Sequence, residues 1–312
     1  MAYINQAEAG PVTDKSLSSL YSRTFDKIVA RIDKVPVEGA EFFAQEKTNL
    51  ETHKVGEIFE TLPLPIKAED TEHIPLVSPL EGHNVTLTNV IYKLGMAITE
   101  SAVRRQKTRL ILAVMNALPK SALRKMEYMY ASLFNGGFDT ATTGDSVYVF
   151  SASHNDGSAE TGTYSNVLSS AGFTTSAYFA AWLAFQSKTD ARGFPAPQLP
   201  SQVVYPAAIH EDVMKVAGSD LYPQNSLNAK MPTLFKQFEP KLLHWLTSTT
   251  AWFVRGSTDA EDRGFICVTE EAPNYKPLSW GDRPDIIMGK RLSMSMSVGA
   301  LHARDWMGNA GA

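Results

Sequence analysis

The chain has 312 residues, 44% of them apolar, and a formal net charge of −4. It is long enough to bury a substantial core in one large domain or several interleaved ones, and too apolar to be disordered. The mild charge excludes binding to nucleic acid through bulk positive charge, and a single cysteine, Cys267, excludes an internal disulfide and a multi-cysteine metal site. No run is long enough to span a bilayer, and Met1 to Gly10 lacks the basic start and apolar centre of a signal peptide. The sequence therefore predicts a protein made and kept in a cytoplasm.

Residues 1–15 are small and polar and read as an extended arm. Leu17, Leu20, Tyr21, Ile28 and Ile32 then give an amphipathic helix closed near Pro36, whose apolar face needs a partner. From His53 to Ile98 the texture changes. Pro63, Pro65, Pro75 and Pro79 exclude helix, and Val85 and Leu87, then Val90, Tyr92 and Leu94, alternate like a strand with one change of register. Glu69, Asp70 and Glu72 read as the exposed tip of a long two-armed β-loop. An excursion of that length inside a compact domain is expected to lean on another subunit.

Residues 99–138 carry the longest helical pattern. Thr99 is a candidate N-cap, Ala102, Val103, Leu110, Val114 and Ala117 form an apolar stripe, and Pro119 predicts a kink or break. The pattern resumes with Leu123, Met126, Tyr130 and Leu133. Asn135, Gly136 and Gly137 stop it, glycine being able to take a left-handed C-terminal conformation. Asp145 to Phe150 reads as a short strand followed by a polar loop. Thr174 or Thr175 then caps a helix expected to turn Phe179, Trp182 and Leu183 inward. Phe194 to Pro200 is a stiff connector. Beyond it lie a strand at Gln202–Tyr205, a helix at Ala207–Ala217, and strands at Trp252–Val254 and Phe265–Val268, where Cys267 reads as a buried, inert thiol. The strongest strand signal comes last: Leu292, Met294, Met296, Val298 and Ala300 alternate with Ser293, Ser295, Ser297 and Gly299. No short-period repeat appears.

The sequence offers few groups for chemistry. Ser151, His154 and Asp156 suggest a hydrolase, but three residues in one six-residue loop rarely align nucleophile, base and acid. His53, His73 and His83 have no ligand spacing, and no phosphate-binding glycine motif is present. Hence no catalytic, cofactor-binding or metal residues are assigned, and no cofactor is expected. Arg104, Arg105, Lys107, Arg109, Lys120, Arg124 and Lys125 form the densest basic region, either a solvated helix face or a weak contact to nucleic-acid phosphate.

The segments FNGGF (134–138), DSVYVFSASHN (145–155) and GTYSNVLSSAGFTTSAY (162–178) resemble, in residue and in order, major capsid proteins of tailed bacteriophages, in particular Mu-like head subunits. GMAITESAV (95–103) and the region from Trp252 to Tyr275 are similar to the same group. The glycine usual after the aspartate is Ser146 here.

The resemblance implies an α+β fold of the Hong Kong 97 type. Its parts would be an N-terminal arm at 1–50, an extended β-loop at 51–94, a peripheral domain with a spine helix at 95–192, an axial domain at 193–285, and a strand returning to the peripheral domain at 286–312. It further implies a structural, non-enzymatic subunit that self-assembles into hexamers and pentamers of an icosahedral head enclosing double-stranded DNA. Expected partners are further copies of the chain, a portal, decoration or scaffolding proteins, and packaged DNA through weak non-specific contact. No membrane is expected, and assembly would take place in the host cytoplasm, with the virion as the final location. Some members weld subunits through a lysine to asparagine bond. Lys67 lies in the β-loop, but no partner is identified, so crosslinking is not expected. The rivals are an encapsulin-like compartment of the same fold and, from another class, a soluble α/β hydrolase using His154.

Overall fold

The computed structural model describes residues 14–59, 80–105, 107–155, 163–190, 193–218, 238–257, 263–278 and 286–312. In chain order its elements are α1 (Asp14–Ile32), β1 (Ala44–Lys47), β2 (Thr52–Phe59), β3 (Leu80–Thr88), β4 (Val90–Thr99), α2 (Glu100–Arg104), α3 (Thr108–Asn135), β5 (His154–Asn155), β6 (Thr163–Tyr164), α4 (Thr175–Gln186), β7 (Pro200–Tyr205), α5 (His210–Gly218), β8 (Glu239–Leu242), β9 (Trp252–Gly256), β10 (Phe265–Pro277), β11 (Ile286–Ala300) and β12 (Trp306–Asn309). The mixture of helix and sheet is the expected α+β class. Residues 1–13 of the expected arm lie outside the described residues, as do the loop tip with Glu69, Asp70 and Glu72, and Lys67, His73 and Asp156.

The chain forms two compact units. The first consists of the described parts of Met1–Val37, Val90–Met126 and Thr269–Met296; the second, of those of Glu38–Asn89, Glu127–Val268 and Ser297–Ala312. Both therefore draw on α3, β10 and β11.

In the first unit β4 and β11 run antiparallel, from Val90 opposite Met296 through Leu94 opposite Leu292 to Ile98 opposite Met288. Asn89, between β3 and β4, is the site of the register change read in the sequence. Leu292, Met294 and Met296 are buried, but the serines between them are not a simple solvent face. Ser293 donates to Glu271 Oε2 at 2.8 Å and Ser295 to Glu270 Oε2 at 2.6 Å, so polar groups on that side are paired as well as covered. Phe25 of α1 is fully buried and meets Tyr275 edge-on, with centroids 5.6 Å apart.

Helix α3 does not break at Pro119. Proline removes one ladder bond, to the Met115 carbonyl, and buried Met115, Leu118 and Ala122 surround the gap, so packing holds the helix together. The interruption falls earlier, between Arg104 and Thr108. Thr99 stands at the N-cap of α2, yet its hydroxyl meets Ser101 Oγ at 3.2 Å rather than a helix amide.

In the second unit β12, β9, β7 and β8 form one sheet in that order, parallel only between β7 and β8. Tyr178, Ala181 and Phe185 of α4 and Val213 and Val216 of α5 bury against Val203, Tyr205, Trp252 and Val254. This corrects the face expected for α4. Phe179 and Leu183 are exposed and Trp182 is half-buried, stacked on Phe179 at 5.8 Å. The helix is apolar all round, so periodicity could not choose its inner side. Its cap is Thr174, which accepts from the Ala177 amide at 3.2 Å.

A second correction concerns the helix stop at Gly136 and Gly137. Neither has a positive φ. Gly137 is needed for room instead: a Cβ there would sit 2.6 Å from the Phe150 ring, and one on Gly308 would meet the same ring at 2.6 Å. Phe150 lies 4.9 Å from Phe253 and 5.1 Å from Phe138. Phe134, at the end of α3, has the rings of Phe42, Phe253, Phe265 and Trp306 within 5.8 Å.

Strands β2 and β3 form the antiparallel ribbon expected of a two-armed loop. Its base is anchored within its own unit. Leu87, with Val55 and Val85, packs on Ile266, Val268 and Leu301 of its own unit.

Candidate functional site

Residues 145–150 are not a ladder strand. The Val147 amide donates to Asp145 Oδ1 at 3.1 Å, which folds the chain into a turn with Ser146 at φ 65°. Such a left-handed φ costs an L-residue about 1–2 kcal/mol, which gives a reason for glycine to be usual at this place. Ser146→Gly is accordingly expected to stabilise the protein by about 0.5–1 kcal/mol after the loss of unfolded-state restriction is set against it; chemical denaturation of the two chains checks this.

The turn aims Asp145 at the end of the same motif. His154 is fully buried; its Nδ1 donates to Asp145 Oδ2 at 2.9 Å, and the Asn155 amide donates to the same oxygen at 3.1 Å. The Thr143 hydroxyl donates to the other carboxylate oxygen. On the far side of the ring, Nε2 faces the Val149 carbonyl and Asn166 Oδ1, each at 3.2 Å, while Asn166 Nδ2 donates to Val149 O at 2.7 Å. Tyr164 stacks on the imidazole at 4.8 Å. Both ring nitrogens are thus engaged within the fold, leaving none to take a proton from a nucleophile. The histidine is a clasp that ties 145–155 to Asn166.

Burial pushes the Asp145 carboxyl up, but hydrogen bonds from His154, Thr143 and Val147 outweigh it and hold the group well below the usual carboxylate range. With the folded pKa below the unfolded value of about 3.9, Asp145 contributes stability above about pH 4 that is lost as pH falls further. The stability difference between wild type and Asp145→Asn should therefore be flat from about pH 5 to 7 and shrink steadily below about pH 4; denaturation midpoints across that range test the sign.

Beside this clasp, His83, Thr143, Asp145, Asn155, Tyr164, Leu301, His302 and Arg304 line a cavity of about 10 Å³, enough for one water. His53 pairs instead with Glu46 at 2.9 Å. On β3, His83 is four residues from Leu87, the partner of His53, so the two histidines lie about 13 Å apart along the ribbon and share no ligand site. Cys267 is buried and accepts from the Tyr130 hydroxyl at 3.5 Å, as its apolar setting implied. A further buried group, Asp305, lies 3.8 Å from Arg255 Nε, and burial pushes its carboxyl up against the pull of Arg255 and Lys188.

The basic residues divide between two environments. Arg104 pairs with Glu100 one turn away, and Lys125 lies over the Tyr92 ring at 4.4 Å. Arg105, Lys107, Arg109, Lys120 and Arg124 are exposed and form no ion pair with another described residue.

The sequence profile of the phage capsid protein family matches residues 86–308. No curated protein matches the sequence. Among solved structures, the chain is similar to one from Microbacterium phage Oxtober96 (TM-score 0.54, 10% identity, covering 100% of this chain and 96% of that one). It is also similar to the procapsid of bacteriophage JBD30 (TM-score 0.52, 10% identity, covering 95% of this chain and 75% of that one). A third likeness is to the virus-like particle from Pyrococcus furiosus (TM-score 0.50, 8% identity, covering 94% of this chain and 99% of that one). At such identities the likeness concerns the fold, which is of the Hong Kong 97 type. Because the profile covers well over half of the sequence, including the Asp145–His154 clasp and Phe134 at the end of α3, the chain belongs to the phage capsid protein family and is a major capsid protein, a structural component of the virion.

Proposed function

We propose that this chain is the repeating subunit of an icosahedral phage head, gathered into hexamers and pentamers and enclosing double-stranded DNA. Assembly takes place in the host cytoplasm, with a portal and with scaffolding or decoration proteins as further partners. In this reading residues 1–50 are an arm, 51–94 a β-loop, 95–192 with 286–312 a peripheral domain, and 193–285 an axial domain. The observation that carries it is the match of a phage capsid profile to residues 86–308. Apolar side chains left in solvent support it: Val90, Ile91 and Leu94 on β4, Leu110 and Leu112 on α3, and Phe179 and Leu183 on α4. Covering such surface with neighbouring copies contributes roughly 25 cal/mol per Å², so that each interface adds to the stability of the shell.

An encapsulin-like compartment is the second reading, favoured by the full-length likeness to the Pyrococcus furiosus particle. The contents of particles purified from the producing cells separate the two. DNA of uniform length supports the phage head, whereas a protein cargo without DNA would replace it with the compartment.

A further inference from the structure

From Ser101 to Met126 the sequence holds seven Lys and Arg and no Asp or Glu, in a chain where acids outnumber bases 33 to 29. Arg104, paired with Glu100, and Lys125, over the Tyr92 ring, are engaged within the fold, and the others face outward. Arg109, Lys120 and Arg124 are exposed and lie within about 60° of one another around α3, with 3.6 residues to the turn. They form no ion pair with another described residue, and Asn116 shares their face. On the opposite side of the helix Ile111, Met115, Leu118 and Ala122 are buried, so the cationic stripe is fixed outward by the core. The stripe ends at Glu127, where the carboxylate accepts from Trp245 Nε1 at 3.2 Å.

A second helix of the same unit extends this surface. Arg23, Lys27 and Arg31 stand at i, i+4 and i+8 on α1 and are all exposed. Arg31 Nη2 donates to Asn116 Oδ1 at 2.9 Å, which sets the end of this row against the α3 stripe. Arg109 to Arg124 spans about 22 Å of helix, a length over which duplex DNA presents about 13 phosphates. No aromatic ring lies among the six cations, so the surface suits a phosphate backbone and not stacked bases.

We propose that this paired-helix surface, Arg23, Lys27 and Arg31 with Arg109, Lys120 and Arg124, is where the subunit touches the phosphate backbone of packaged duplex DNA. The proposal rests on the container reading above and names the face that meets the contents. Each contact is weak and independent of sequence, as suits a shell whose DNA must enter and leave. The overall charge of −4 keeps the rest of the subunit from holding it.

The test is a titration of the full-length, unassembled chain into a fluorescent 30-base-pair duplex at several salt concentrations. With six contacts the logarithm of affinity should fall against the logarithm of salt with a slope of about −5, since each neutralised phosphate adds about −0.9. Arg109→Gln, Lys120→Gln and Arg124→Gln together should make the slope shallower by about 2.7, and Arg23→Gln with Lys27→Gln by about 1.8. All five positions are exposed, so both variants should keep the wild-type fold by circular dichroism. A wild-type slope near zero, or one that neither variant changes, overturns the proposal. So does displacement of the duplex from the stripe by a peptide of residues 60–79, which would assign the surface to the acidic loop of another copy. Shell formation is scored by electron microscopy on the same preparations. Wild-type shells without salt-dependent DNA affinity remove the surface assignment and leave the capsid reading standing, while absence of shells counts against the capsid reading itself.

Discussion

Replacing Asp145 with alanine is expected to destabilise the protein by about 3–5 kcal/mol, since it removes a buried carboxylate and leaves its hydrogen-bond donors without an acceptor. The carboxylate accepts from four donors: His154 Nδ1, the Thr143 hydroxyl and the amides of Val147 and Asn155. Alanine leaves the imidazole without an acceptor at Nδ1, in a side chain of 0% exposure, and releases the turn at Ser146. The consequence extends past the turn, because the other face of His154 holds Asn166, which donates to Val149 O and accepts from the Ser151 amide at 2.8 Å. Urea denaturation of the full chain measures the loss. Exposed Asp139→Ala, six residues away, should stay within about 0.5 kcal/mol of wild type and serves as the control. A similar small change for Asp145→Ala would mean that the clasp is not what ties residues 141–155 to Asn166.

A loss of comparable size is expected at Phe134→Ala, about 3–5 kcal/mol for a large aromatic deleted from a packed core. Phe134 is 1% exposed, with Trp306 and Phe253 at 5.1 Å, Phe265 at 5.5 Å and Phe42 at 5.8 Å. Four rings contributed by the Ala40–Phe42 turn, β9, β10 and β12 would face the resulting cavity, so it cannot collapse by moving one neighbour. Phe134→Leu, which keeps most of the volume, should recover much of the loss. Equal losses for the two variants, read from denaturation midpoints, would show that the aromatic contacts and not the filled space dominate.

These two residues show what the sequence reveals of the fold. FNGGF and DSVYVFSASHN carried the family resemblance as strings, and the structure gives each a mechanical role. Phe134 joins five segments, Gly137 makes room for Phe150, and Asp145 reaches forward to His154. The pairing with Asp145 was not legible, because residues 145–150 alternate like a strand and only the left-handed turn at Ser146 brings the carboxylate round; the hydrolase reading had offered Asp156 instead. The inner face of α4 was hidden for a different reason: with apolar residues on every side, hydropathy has no period to report. β10 was read only as far as Val268, since Thr269 to Pro277 is polar and half-exposed, and its strand geometry comes from ladder bonds that leave no hydropathy signal. Length and alternation sufficed for β11 and for the existence of a long helix before Phe134, but not for its interruption, which lies between Arg104 and Thr108 and not at Pro119, where buried neighbours hold the turns together.

Phe179 and Leu183 of α4 and Val90, Ile91 and Leu94 of β4 stand in solvent on the single subunit, and the proposed assembly covers them with further copies of the chain. Sedimentation of the purified full-length chain, with negative-stain electron microscopy of the fractions, tests this most directly. The expected result is fast-sedimenting material made of closed, isometric shells of uniform diameter. A single species of 34.3 kDa across all concentrations, with no particles on the grid, would contradict it.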